Sequence, residues 1–168
     1  MASVQLSDVS FGYGERVLFS NLSIEFAQGK VTSIIGPNGC GKSSLLKLVS
    51  GICKPWEGAV RVLGHDVAAL SSKGRAHLLS LLAQEHAAPP MSVRQLVTCG
   101  RYPHHGMLAT MDAADYEAVE RALVACGLSN LAERPAAELS GGQRQRAFIA
   151  MVLAQDTPVV LFDEPTSF

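Results

Sequence analysis

The sequence predicts an α/β fold, and two observations carry that prediction. Short runs rich in β-branched residues alternate along the chain with stretches of helical spacing, as expected where helices pack on a sheet. A glycine-rich turn, residues 36–43, stands between an apolar run, Val31 to Ile35, and a helix-forming run, Lys42 to Ser50. The length of 168 residues, with 48% hydrophobic and 17% charged residues, allows a real core and excludes a disordered chain.

Taken in order, Val4 to Phe11 and Leu22 to Phe26 alternate with period 2 and read as half-exposed strands, with a turn at Gln28-Gly29. Val31 to Ile35 reads as a short apolar strand that runs into the glycine-rich turn. The helix Lys42 to Ser50 is closed by Gly51, and a turn at Pro55 to Gly58 precedes a strand at Ala59 to Leu63. Leu78 to Ala83 reads as a buried strand. Ser92 to about Glu133 reads as mainly helical, with Asp112 as an N-cap, Asp115 in the first turn, and Tyr116, Val119, Leu123 and Cys126 at near-helical spacing before Gly127. Pro135 to Glu138 is a linker, Ser140 caps a helix over Gly141 to Gln155, and Pro158 to Phe162 is a final apolar strand ending in Asp163-Glu164.

The net charge of −1 argues against a globally basic nucleic-acid binder. Cys40, Cys53, Cys99 and Cys126 form no CxxC pair, so a reducing compartment is expected rather than a disulfide framework. Met1 to Ser10 has no charged segment followed by an apolar core, so no secretory leader is expected. The longest apolar run, Ala147 to Ala154, falls well short of the ~20 residues of a membrane helix.

Gly36-Pro37-Asn38-Gly39-Cys40-Gly41-Lys42-Ser43 fits GxxxxGK[ST] between a strand and a helix. Glycines let successive backbone N–H groups turn toward an anion, and the helix N-terminus adds partial positive charge. In such a loop Lys42 neutralises β- and γ-phosphates and the Ser43 hydroxyl can ligate Mg²⁺. At the end of the last strand, Asp163 is suited to holding Mg²⁺ and Glu164 to polarising an attacking water. Alone, the pair could be a solvated turn, but a phosphate loop in the same chain favours the chemical role. Leu139-Ser140-Gly141-Gly142-Gln143 opens a helix with two glycines just after its cap. Each costs helix stability, roughly 1 kcal/mol, and permits close approach of a ligand to a positive helix end. This reads as a second anion site.

LSGGQ lying between GPNGCGKS and VVLFDEP resembles the ATP-binding cassette (ABC) ATPases in their usual order. The likeness covers the whole chain. Gly100-Arg101-Tyr102-Pro103-His104-His105, with the segments at 141–147 and 150–155, looks most like the bacterial importers of iron–siderophores, haem and cobalamin, and among them the ferric enterobactin-like branch. The resemblance implies a P-loop NTPase fold with an N-terminal antiparallel β subdomain, a RecA-like parallel core and a helical subdomain, divided as 1–91, 92–135 and 136–168. It implies that Tyr13 stacks on adenine, that 36–44, ending in Ser44, cradles phosphate, and that Gln84 senses Mg²⁺ and contacts the permease. It also implies catalysis by Glu164, Lys42 and Gln84, with Mg²⁺ served by Ser43, Gln84 and Asp163.

In the family two cassettes pack head to tail, so Ser140, Gly141, Gly142 and Gln143 would act on the γ-phosphate held by the other copy. The implied partners are transmembrane permease subunits, a second cassette and, indirectly, a periplasmic substrate-binding protein, at the cytoplasmic face of the bacterial inner membrane, with no nucleic acid. The family pattern continues past the acidic pair to a D-loop aspartate and an H-loop histidine that this chain does not include, so a C-terminally truncated cassette with impaired hydrolysis is expected. None of His65, His77, His86, His104 and His105 can replace that histidine, since all precede the Asp163 strand.

Four features are weighed against plainer readings. His104 and His105 invite a metal reading, but a solvated loop is favoured, because adjacent side chains point apart and no third ligand is in view. Cys40 reads as a small filler residue or a reactive thiol beside Lys42, and Trp56 as a packing residue. Arg144 and Arg146 read equally as a solvated face or as interface contacts.

Overall fold

The computed structural model of the protein describes residues 2–83, 89–105 and 110–163. The chain divides into two compact units, Met1–Leu78 and Leu79–Phe168.

The first unit is built on an antiparallel sheet of order β2-β1-β3-β4. Strands β1 (Ala2–Tyr13) and β2 (Arg16–Ala27) form a hairpin in which Tyr13 faces Arg16 across a two-residue turn. Strand β3 (Glu57–Val62) pairs with the other edge of β1, and the short β4 (His65–Asp66) pairs with β3. The buried apolar side chains of β1 are Val4, Leu6, Val9 and Phe11. Their alternation breaks between Leu6 and Val9, where Asp8 takes a φ of 50° and the register of the hairpin shifts. A bulge of this kind adds one residue and so preserves the buried face on both sides of it.

Helix α1 (Lys42–Val49) packs on β3 through Leu45, Leu48 and Val49. Burial of a side chain such as Leu48, which is fully inaccessible, contributes about 1.5–3 kcal/mol. Gly51 follows the helix with a φ of 72°, as the sequence predicts. Helix α2 (Ser72–Leu78) ends the unit.

Two expectations fail here. Residues 31–35 form no strand, and Val31 and Ile35 are almost fully exposed. A strand requires hydrogen-bonding partners at its edges, and residues 31–35 pair with no strand among the described residues. Strand β2, by contrast, begins six residues before the predicted Leu22, because pairing with β1 orders positions that carry no polar–apolar alternation.

In the second unit β5 (Leu79–Leu82) pairs in parallel with β6 (Val159–Phe162), Leu79 opposite Val159 and Leu82 opposite Phe162. Three helices form a bundle: α3 (Val93–Thr98), α4 (Ala113–Ala125) and α5 (Gly141–Ala154). Their shared core includes Val93, Val97, Val119, Leu123, Leu128, Ala147 and Ala150. Each helix starts with a reciprocal capping box: Ser92 with Gln95, Asp112 with Asp115, and Ser140 with Gln143. Each box satisfies two otherwise orphaned backbone donors.

The long helical stretch predicted from Ser92 is therefore two helices separated by a turn of 3₁₀ helix at Cys99–Arg101 and the segment that follows. The predicted N-cap Asp112 is in place, and Gly127 takes a φ of 63° after α4. Tyr116 does not join Val119 and Leu123 in the core but is exposed. Its place is taken by Asp115, which is buried.

Candidate functional site

The glycine-rich loop lies in the first unit. Helix α1 begins at Lys42, and its N-cap is Gly41, which has no side chain to cap the helix; no acidic residue lies in the first turn. Gly41 takes a φ of 103°, a conformation costly for any residue with a Cβ. A Cβ there would also stand 2.8 Å from the ring of Phe19 on β2. The loop is thus bent so that its backbone leads into an uncapped, positively polarised helix end.

Lys42 folds back over its own loop, its Nζ donating to the carbonyl oxygens of Gly36 (3.0 Å) and Pro37 (3.1 Å). Cys40 is exposed, with its Sγ 2.8 Å from where a Cβ on Gly36 would lie. Pro37, Asn38 and Gly39 are exposed, and Ser43 lies in the first turn of α1 beside the buried Ser44. At the end of β1 the Tyr13 hydroxyl lies 3.4 Å from Ser44 Oγ, and its half-exposed ring meets Phe11 edge to face at 5.1 Å. Trp56 packs against Phe11 at 6.2 Å and closes over Gly12, in keeping with its reading as a packing residue.

The second unit holds the other predicted residues. Ser140 Oγ accepts from the backbone N–H of Gln143, and the Gln143 side chain accepts from the N–H of Ser140. Gly142 is exposed and would meet nothing if it carried a Cβ, so the start of α5 is open to approach. Asp163 is buried at the end of β6, its backbone N–H bonded to the Leu82 carbonyl at 2.9 Å. Gln84, His86 and Glu164 lie outside the described residues.

The donor set suits a nucleotide with Mg²⁺. An uncapped helix end, a left-handed glycine and a lysine amine are the groups a polyphosphate requires. In the first unit the Ser43 hydroxyl is a hard oxygen donor of the kind Mg²⁺ takes, and in the second unit, taken by itself, the Asp163 carboxylate is a donor of the same kind.

The histidines are not a solvated loop. His104 Nε2 lies 2.7 Å from the carbonyl oxygen of Gln155, and His105 Nε2 lies against Asp115 Oδ2. Asp115 also accepts from Arg101 Nε at 2.8 Å, and Arg101 Nη1 donates to the carbonyl of Ala154 at 2.8 Å. Burial pushes the Asp115 carboxyl up, but the Asp112 backbone N–H, the bond from Arg101 and the charges of His105 and Arg101 outweigh it. The result is a carboxyl held down at about 2. Arg146 is exposed and donates to the Cys126 carbonyl at the end of α4 (3.4 Å). Pairings between residues so far apart in the chain leave no periodic signal in sequence.

The geometry is that of a phosphate-binding α/β domain, and comparison with known proteins places it more narrowly. The family profile described as ABC transporter matches residues 19–167, and the chain belongs to that family, with the nucleotide-binding domain fold of its ATPases. It is 44% identical, over its whole length, to a probable siderophore transport system ATP-binding protein of Bacillus subtilis (strain 168), covering 62% of that protein. It is 46% identical to an achromobactin transport ATP-binding protein of Dickeya dadantii (strain 3937), covering 63% of it. It is 43% identical to a ferric enterobactin transport ATP-binding protein of Escherichia coli (strain K12), covering 62% of it.

Among solved structures, a metal-chelate type ABC transporter in an inward-facing conformation matches with a TM-score of 0.83 and 31% identity, over 98% of this chain and 60% of that one. A nucleotide-free ATP-binding cassette from an ABC transporter matches with a TM-score of 0.85 and 25% identity, over 99% of this chain and 70% of that one. The chain thus spans a little over three fifths of the length of the curated relatives it matches.

Proposed function

We propose that the protein is the ATP-binding and ATP-hydrolysing subunit that energises a bacterial importer of ferric siderophores or related metal chelates. The observation that carries this reading is identity of 42–46% across 100% of the chain to the ATP-binding proteins of several such systems. The bent loop at Gly41 and the basic, uncapped start of α1 support it independently, since they suit a polyphosphate.

In this reading the segment 36–44 cradles the phosphates, and Lys42 leaves the Gly36 and Pro37 carbonyls to pair with the β- and γ-phosphates. Tyr13 offers its half-exposed ring to the adenine. Ser140 and the amides of Gly141, Gly142 and Gln143 meet the γ-phosphate bound by a second, head-to-tail copy. Glu164 orients the attacking water. Mg²⁺, held by Ser43, Asp163 and Gln84, would neutralise charge developing on the phosphates. Within the proposed division 1–91, 92–135 and 136–168, Gln84 and the helical segment face permease subunits at the cytoplasmic face of the inner membrane. No helix among the described residues is long and apolar enough to cross a membrane. A periplasmic binding protein would deliver the chelate to that permease.

The test is co-purification of the full-length protein with a permease, followed by Mg-dependent ATP turnover by the complex. Glu164→Gln is expected to abolish turnover and trap an ATP-bound dimer. Unchanged turnover in that variant rules out the assigned role, and the absence of any ATP turnover in the wild-type complex rules out the function.

A further inference from the structure

Three residues of one short segment converge on the last turn of α5. Gly100 lies so close to that helix that a Cβ on it would stand 2.1 Å from the Met151 carbonyl oxygen. Arg101 donates to the carbonyl of Ala154, and His104 meets that of Gln155. The end of a helix concentrates unsatisfied carbonyls and partial negative charge, which favours cationic donors there. Arg101 simultaneously bonds Asp115 at the start of α4, where partial positive charge favours a carboxylate. One buried arginine, Arg101, 8% exposed, therefore ties the negative end of α5 to the positive end of α4.

Apolar burial by itself specifies axial register less sharply than bonds to individual carbonyls. The buried residues of α5 are mostly small, Ala147, Ala150 and Ala154 among them. Burial of such a face is non-directional and sets which side of the helix faces inward. It leaves sliding along the axis weakly opposed, whereas bonds to individual carbonyls oppose it strongly. A helix is stiff along its axis, so a shift at Ala154 reappears at Ser140, roughly 20 Å away at 1.5 Å per residue.

We propose that Arg101, with His104, is a positioning residue that sets the axial register of α5 and thereby the placement of Ser140, Gly141 and Gly142 at its other end. This deepens the function proposed above and rests on it. The grip is exerted through the helix, since the bonds of Arg101 go to Asp115 and to the Ala154 carbonyl, at the opposite end of α5 from Ser140.

The experiment uses the full-length protein in its permease complex. Arg101→Lys keeps a cation beside the buried Asp115 but lacks the fork that reaches Ala154 as well. The expected result is a kcat lowered about tenfold or more, as displacement of a reacting group by a fraction of an ångström can cause, with KM for ATP unchanged. A second readout needs no turnover: hydrogen exchange at the amides of residues 140–144 is expected to quicken while that at residues 36–44 stays the same.

His104→Ala leaves the Arg101–Asp115 pair intact, so it decides the matter if the lysine variant does not fold, with a smaller fall in kcat and the same pattern of exchange. Wild-type kcat per folded molecule and wild-type exchange at 140–144 in both variants would overturn the proposal. A wild-type complex without ATP turnover is a separate result, which defeats the function itself and is seen before any variant is made.

Discussion

Lys42 Nζ sits 3.0 Å from the carbonyl oxygen of Gly36, so the amine closes the loop that its own helix begins. Those carbonyls are weaker partners than a phosphate, because both members of an ammonium–phosphate pair are charged. In the proposed function, nucleotide binding is an exchange of partners by Lys42, which trades these carbonyls for phosphate. Lys42→Ala is expected to weaken ATP binding about 10–100-fold, the loss of a charged hydrogen bond of about 1.5–3 kcal/mol. Its thermal midpoint should stay near that of the wild type. Titration with a fluorescent ATP analogue measures the first effect, and undiminished affinity excludes the role.

Gly41→Ala meets two obstacles, the φ of 103° and the ring of Phe19 at 2.8 Å. The backbone strain alone costs about 1–3 kcal/mol. The variant is expected to unfold at lower denaturant and to bind ATP poorly. Adding Phe19→Ala removes the clash but not the strain, so the double variant should recover only part of the lost binding. Full recovery would show that the left-handed backbone is dispensable.

The carboxyl of Asp115 is held at about 2 against an ordinary value of 3.8. A carboxylate with a depressed value stabilises the fold above its unfolded value and loses that contribution as pH falls through its folded one. The contribution is thus complete above about pH 4 and is lost as pH falls through about 2. Asp115→Asn should be less stable than the wild type at pH 7. The difference between the two should shrink as the pH drops from 4 toward 2. Denaturant unfolding at a series of pH values measures this, and a constant difference down to pH 2 contradicts it.

Cys40 is exposed within the loop, whereas Cys53, Cys99 and Cys126 are partly covered. An alkyl group on its sulfur would fill space against Gly36, where phosphate oxygens are proposed to lie. Cys40 is expected to label first with iodoacetamide, its labelling to block nucleotide binding, and Mg-ATP to slow the labelling. Peptide mass spectrometry follows each step. Equal rates with and without Mg-ATP refute the placement.

Gly100→Ala would force the 3₁₀ turn away from α5, because backbone cannot yield as a flexible side chain can. A loss of about 1–3 kcal/mol in stability is expected, read as a lower denaturant midpoint of the full-length protein.

Local rules made much of this protein legible in the sequence. GxxxxGK[ST], LSGGQ and the apolar strand before Asp163 are contiguous, and each depends on the backbone of a few neighbouring residues. The caps at Asp112 and Ser140 and the stops at Gly51 and Gly127 follow from bonds within one helical turn, and all were predictable from residue type. The register of β1 and β2, the exposure of residues 31–35, the burial of Asp115 and the grip of Arg101 and His104 on α5 were decided only by tertiary structure. For the grip on α5 the deciding partner lies far along the chain, 53 residues separating Arg101 from Ala154. Strand pairing, desolvation and charge at a helix end depend on what arrives from elsewhere, and no spacing within a segment records that arrival.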